Sequence, residues 1–195
     1  MVPLLEVQKS KLPMKPTILT HISEIVTPEG KKALHGKEMG KVKRQKDGAI
    51  VIENGKIQAV GSNDAIMKAY AGKDAAIRDM SGSCVLPGFV DSHTHFIFGG
   101  YRPEEFMMRL TGASYLEIHK AGGGIWNTVQ ATRNMGLDEM VQAGKERLQD
   151  MLSMGVTTAE GKSGYGLDRE CELRKLKALE ILKREQPVSL VSTFL

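Results

Sequence analysis

The sequence predicts an α/β chain in which a small β-rich unit precedes parallel βα units that stop short of a closed fold. Three observations predict it. A hairpin signal, Ile50-Val51-Ile52, then Asn54-Gly55, then Ile57-Gln58-Ala59-Val60, lies in a first part rich in β-branched residues. From Val85 onward short apolar runs alternate with helical periodicities, the pattern of parallel strands joined by helices. The final apolar run, Val188 to Leu195, has no helix after it to cover it.

In chain order, residues 1–16 mix Lys and Pro with scattered aliphatics and read as a flexible arm. Thr17 to Val26 reads as a strand. Residues 28–47, polar, basic and punctuated by glycine, read as a long loop. After the hairpin, Ser62 can cap a short helix through Tyr70, and Ala76 to Met80 reads as another strand. These residues, 17–83, form the expected β-rich domain, of a sandwich type.

The second part, 84–195, opens on Val85-Leu86-Pro87-Gly88-Phe89-Val90, read as one strand buried on both faces. A helical region follows, with a capping-box pattern at Ser114-Tyr115-Leu116-Glu117. A longer helix is expected from Leu137 to Met154, with Met140, Leu148, Met151 and Leu152 near one face and Gly155 as its stop. Val156 to Ala159 reads as a second strand. Asp168 can cap a helix on which Leu173, Leu176, Leu179 and Leu182 recur until Pro187, and Val188 to Leu195 reads as a third strand. Three such strands in the 111 residues from Val85 compare with the eight strands and ~250 residues of a closed (β/α)8 barrel, so the expectation is an incomplete barrel.

Composition excludes several classes. At 41% hydrophobic and 26% charged the chain is ordinary globular material. No apolar run approaches the ~20 residues of a membrane span, and Met1 to Glu6 has none of the regions of a signal peptide. Two cysteines, Cys84 and Cys171, make no disulfide framework, so reduced thiols in a cytoplasmic protein are expected. The formal charge of +4 is uneven: residues 1–46 carry +6 and the remainder −2. The densest run, Lys41-Val42-Lys43-Arg44-Gln45-Lys46, has neither aromatic interleaving nor a recognition helix beside it, and reads as solvated rather than as a nucleic-acid site.

Asp91-Ser92-His93-Thr94-His95 is the sharpest chemical signal. On an extended backbone alternate side chains share a face, so His93 and His95 can present two imidazoles to one point, a donor set that suits Zn or Fe. The pair alone also describes solvated or hydrogen-bonding histidines; its place at the end of an apolar strand favours the metal. Arg102, in a Gly-flanked loop, is suited either to bidentate capture of a carboxylate or to an ion pair with Glu104 or Glu105. Tyr165 lies between Gly164 and Gly166, free to reach into a pocket or to remain a loop residue. Glu160 and Lys162 read as supporting residues. His21, His35 and His119 read as surface or structural. Gly122-Gly123-Gly124 lacks the Gly-Lys-Ser/Thr ending of a phosphate loop.

Leu86 to Phe98, LPGFVDSHTHFIF, resembles the first barrel strand of the amidohydrolase superfamily. Gly99-Gly100-Tyr101-Arg102, Gly122 to Ile125, the segment Thr157 to Leu167 and Glu185-Gln186-Pro187-Val188 with Ser192 to Leu195 together resemble the imidazolonepropionase family within it, over residues 17–195. The resemblance implies an N-terminal part of a metal-dependent-hydrolase TIM barrel, with one Zn or Fe ion per site held by His93 and His95. It implies hydrolysis of 4-imidazolone-5-propanoate to N-formimidoyl-L-glutamate in histidine degradation, with Arg102 and Tyr165 binding that small-molecule substrate. The remaining ligands and the catalytic acid–base group would lie beyond Leu195, so the 195-residue chain alone is expected to be inactive. A homodimer with no nucleic-acid or membrane partner is expected. The alternatives are another amidohydrolase of the guanine-deaminase kind, or a non-catalytic truncated chain.

Overall fold

The computed structural model describes residues 15–30 and 32–195; the arm expected over 1–16 falls almost wholly outside the described residues. The chain divides into two compact units, the first ending at Pro87 and the second spanning Gly88–Leu195. The expected boundary lay at residue 84.

In the first unit β1 (Thr17–Pro28) runs antiparallel to β2 (Val42–Glu53), which pairs with β3 (Lys56–Ser62) across the Asn54-Gly55 turn. Both turn residues have positive φ, 52° and 73°, which is the geometry an Asn-Gly hairpin selects. Helix α1 (Asn63–Ala69) is capped by the Ser62 side chain, as expected. Strands β4 (Ala76–Asp79) and β5 (Cys84–Val85) add parallel to β1. The described residues thus form one mixed sheet, β3-β2-β1-β4 with β5 also on β1, rather than the two facing sheets of a sandwich. One extra residue in β1, between Leu19 and Ile22, shifts the register; it falls where His21 takes a φ of 52°. Ile18 packs with Ala49, Val51 and Ile66, while Ile22 packs with Ile25 and Ile50.

The expected loop over 28–47 is corrected. It contains a short 3-10 helix at Gly36–Gly40, and from Val42 onward it is strand, paired to β1 as far as Pro28. Residues Val42 to Arg44 are all exposed, and Val42 is the one apolar residue among them, so no alternation of apolar residues marks them as strand. Their positive charge is partly matched across the sheet: Arg44 donates to both carboxylate oxygens of Glu24 at 2.8 and 2.7 Å.

In the second unit β6 (Phe89–Asp91) leads into α2 (Pro103–Leu110), α3 (Tyr115–Lys120), α4 (Ile125–Asn134) and α5 (Leu137–Ser153). Then come β7 (Val156–Lys162), α6 (Arg169–Glu185) and β8 (Ser189–Thr193). The three strands are parallel in the order β6-β7-β8. The capping box at α3 is present on both arms, Ser114 accepting from Glu117 N and Glu117 from Ser114 N. Gly155 stops α5 with φ 90°. The core between α5, α6 and β7 consists of Phe96, Ile97, Met140, Leu148, Ala159, Ala178, Leu179 and Leu182 with their neighbours.

Two further expectations are corrected here. The apolar run 85–90 is not one strand: Pro87 and Gly88 split it into β5 and β6, which belong to different sheets. Nor is it buried on both faces, for Phe89 is 55% and Val90 67% exposed on an edge strand. On α6 the inward stripe is Cys171, Glu172, Lys175, Ala178, Leu179 and Leu182, and Leu173 is 48% exposed. No helix among the described residues is long and apolar enough to cross a membrane.

Candidate active site

Because β6, β7 and β8 run parallel, their C-terminal ends lie along one edge of the sheet, and the segments leaving β6 and β7 contribute to a single cavity. After β6 the Asp91 carboxylate accepts from His93 N at 3.1 Å, which bends the chain at Ser92-His93. The two histidines therefore do not meet by strand alternation. They nevertheless line the same cavity of ≈ 480 Å³, with ring centroids 6.3 Å apart and nearly perpendicular. Thr94, between them, accepts from Lys162 N at 3.0 Å and ties this segment to the end of β7.

His93 is exposed, whereas His95 is half-buried with its Nδ1 enclosed and lacking a hydrogen-bond partner. Burial first, and then the Lys175 charge, hold the His95 imidazolium below its ordinary pKa, which favours the neutral ring a metal requires. Two neutral imidazoles fit Zn or Fe in kind. They do not fit in number: among the described residues no group of three His, Cys, Asp or Glu is close enough to hold an ion, and catalytic zinc sites usually have three protein ligands.

The segment after His95 forms one wall and is held from behind. Arg147 of α5 donates through Nη1 to the carbonyls of Phe96 and Phe98 at 2.8 and 2.9 Å and through Nε to Tyr101 Oη at 3.0 Å. Its guanidinium also lies 3.8 Å from the Phe98 ring centroid. Phe98 in turn packs edge-on to Tyr101 and Tyr165. Arg102, at the start of α2, lines the cavity and pairs with Glu105 at 3.2 Å. The ion-pair reading of Arg102 is therefore realised, but it uses only part of a five-donor fork. Glu105 also accepts from Gly124 N at 2.7 Å, giving the glycine run a structural task.

From the end of β7, Tyr165 reaches the same cavity, its ring centroid 5.0 Å from that of His95 and 6.0 Å from that of Phe98. His93, His95, Arg102 and Tyr165, the candidate site residues of the sequence, all line this cavity. Glu160 and Lys162 do not line it; they pair at 3.2 Å, and Glu160 accepts from Thr193 Oγ1 on β8. His21, His35 and His119 are exposed. Arg147, Glu172 and Lys175 were missed. The last two share the inner stripe of α6, where the spacing 171, 175, 178, 182 was visible but a count of leucines outweighed it.

Glu172 is buried and accepts from the backbone N–H groups of Gly164, Gly166 and Leu167 at 2.6, 2.7 and 2.9 Å. Burial opposes its ionisation, but these donors and Lys175 outweigh it and hold the carboxyl below the usual glutamate value. The folded-state pKa is thus lower than the unfolded one. The ionised group stabilises the fold above the unfolded value, and that contribution is lost as pH falls through the folded one. Thermal melting followed from about pH 5 to about pH 3 should accordingly show a shallower loss for Glu172→Gln than for the unaltered chain; equal slopes would refute the assignment.

No protein-family model matches the chain. It is 44% identical over 178 residues to the imidazolonepropionase of Clostridium tetani and 47% identical over 178 residues to that of Parabacteroides distasonis, in each case over 91% of its length. The chain spans 42% and 43% of those two relatives. Among solved structures it is similar to Escherichia coli guanine deaminase, with a TM-score of 0.65 at 15% identity, covering 93% of this chain and 36% of that one. It is likewise similar to a triazine hydrolase from Arthrobacter, with a TM-score of 0.58 at 17% identity, covering 93% of this chain and 36% of that one. At these identities the likeness is one of fold alone.

Proposed function

We propose that this chain forms part of a metal-dependent cyclic amidohydrolase that opens 4-imidazolone-5-propanoate to N-formimidoyl-L-glutamate. The observation that carries the reading is the convergence of two imidazoles, a guanidinium and a phenol on one cavity at the ends of parallel strands. The choice of substrate is supported by the imidazolonepropionases to which nine-tenths of the chain is similar.

His93 and His95 would hold the ion, with further ligands supplied from outside the described residues. An ion held there would supply Lewis-acid polarisation of the ring carbonyl and a water of lowered pKa. The chain's own residues orient the substrate. Arg102 has donors to spare beyond Glu105 and is suited to grip the propionate. Tyr165, beside His95, can donate a hydrogen bond from its phenol to the ring of the substrate and so orient it. In the net hydrolysis the water oxygen joins the carbonyl carbon, the amide C–N bond breaks and a proton of that water passes to the departing ring nitrogen. Phe98 and Tyr101 give the cavity an apolar side against which the ring can pack.

The test is hydrolysis of imidazolonepropanoate by the full gene product, run beside deamination of guanine. Turnover of guanine alone would overturn the proposal in favour of the deaminase alternative. For Arg102→Ala the loss should fall mainly on KM, since a charge-assisted pair to the carboxylate contributes roughly 1.5–3 kcal/mol, or one to two decades. An unchanged KM would remove Arg102 from the substrate-binding role.

A further inference from the structure

We propose that Glu172 is a positioning residue for Tyr165. Its buried carboxylate gathers the N–H groups on either side of that tyrosine and so sets where the phenol stands. This rests on the reading of Tyr165 as a substrate contact.

The loop from Gly164 to Leu167 does not hold its own shape. Gly164 takes φ 125°, which glycine adopts freely, but Leu167, which is not a glycine, has φ 52°, a conformation that persists only where the surroundings impose it. Three of its four residues turn their backbone N–H groups to the one carboxylate of Glu172: Gly164 to Oε2, Gly166 and Leu167 to Oε1. The carbonyl side is held separately. Arg133 donates to Gly166 O at 2.6 Å and to Leu167 O at 3.1 Å, and pairs with Asp168 at 2.9 Å. The loop lies directly on the start of α6, where a side chain at Gly166 would come within 2.6 Å of Cys171 Cβ. The residue left projecting from this clamp is Tyr165, with its ring against His95 and Phe98.

Lys175 completes the arrangement. It is fully buried one turn further along α6, its Nζ 5.4 Å from the Tyr165 ring centroid and without a hydrogen-bond partner. Two opposite charges buried on the inner face of one helix are a costly way to fill a core, since well-packed apolar residues generally do as well or better. Placing a carboxylate under three amides and an ammonium behind the ring is explained by what they fix, the tyrosine.

Glu172→Gln tests this in the full gene product. The amide can accept on one side only and sets an NH2 group against backbone donors on the other. Amide hydrogen exchange at Gly164, Gly166 and Leu167 is expected to quicken at least about tenfold while β7 and β8 keep their protection. KM for imidazolonepropanoate should rise about as far as in Tyr165→Phe with kcat little changed, and the double variant should be no worse than either single one within about twofold. A general loosening of the fold would instead multiply with Tyr165→Phe, and that result, or unchanged exchange in the loop, overturns the proposal. If Glu172→Gln does not melt cooperatively, Glu172→Asp, which keeps the charge and shortens the reach, enters the same cycle. Should the unaltered protein not act on imidazolonepropanoate, the functional reading fails while the exchange measurement still decides whether Glu172 holds the loop.

Discussion

His95→Ala and His93→Ala, each made in the full gene product, are expected to lose bound metal together with activity, by more than about a hundredfold in kcat/KM. The scale follows from what lies around a metal ion: changing a residue that merely orients a ligand costs 10–100-fold, and removing the ligand itself should exceed that. The two variants should differ in their effect on the fold. His93 is exposed and is placed by a single turn from Asp91, so its truncation should leave melting unaltered. His95 packs against Tyr165, and a Cβ at Gly164 would lie 3.1 Å from its Cε1, so His95→Ala opens a gap beneath the tyrosine and should lower Tm modestly as well. His119→Ala, exposed on α3, is the control and should change neither metal content nor rate. Metal analysis beside initial rates decides the matter: stoichiometric metal with normal turnover in either variant removes that histidine from the site.

What the sequence revealed depended on how local each signal was. The Asn54-Gly55 hairpin, the Ser62 and Asp168 caps and the Ser114 capping box are set by neighbours within a few residues, and the structure shows each of them. The strand character of Val42 to Asp47 depends on β1, some twenty residues away, and on no burial of its own, so a polar loop was the natural reading. The split of 85–90 depends on two sheets competing for one apolar run, which composition cannot show. At the site, His93 and His95 stood out by their spacing at a strand end, whereas Arg102 and Tyr165 were singled out by the family resemblance, each having an ordinary loop or ion-pair reading beside it. Arg147 and Glu172 did not, because they act from helices behind the cavity through backbone atoms, and Lys175 did not, because it is buried behind the Tyr165 ring. A charged residue on a helix reads as surface until the fold shows which way it faces.

Gly99→Ala is expected to lower the stability of the second unit by about 3 kcal/mol, about 13 °C in Tm, although it adds only a methyl group. A Cβ at Gly99 would stand 2.6 Å from both the carbonyl carbon and oxygen of Ala131 and 2.8 Å from Thr132 N. These are backbone atoms inside α4, which cannot swing aside as the end of a side chain can. The loop must therefore move off the helix. Doing so breaks the bond from Gly99 N to Thr132 Oγ1, 2.9 Å long and buried, whose acceptor is itself engaged with Thr128 O at 2.7 Å. Overpacking of this kind costs ~1–3 kcal/mol, and a buried donor left without a partner a further ~1–3 kcal/mol. The same displacement carries the segment that holds His95, Phe98 and Arg102, so the damage should reach the cavity. Gly40→Ala is the matched control: nothing lies within 4 Å of its Cβ position, and its effect should stay within about 0.5 kcal/mol. Equal melting of the two variants would mean that the chain does not need this close approach, and that the wall of the cavity is held by Arg147 alone.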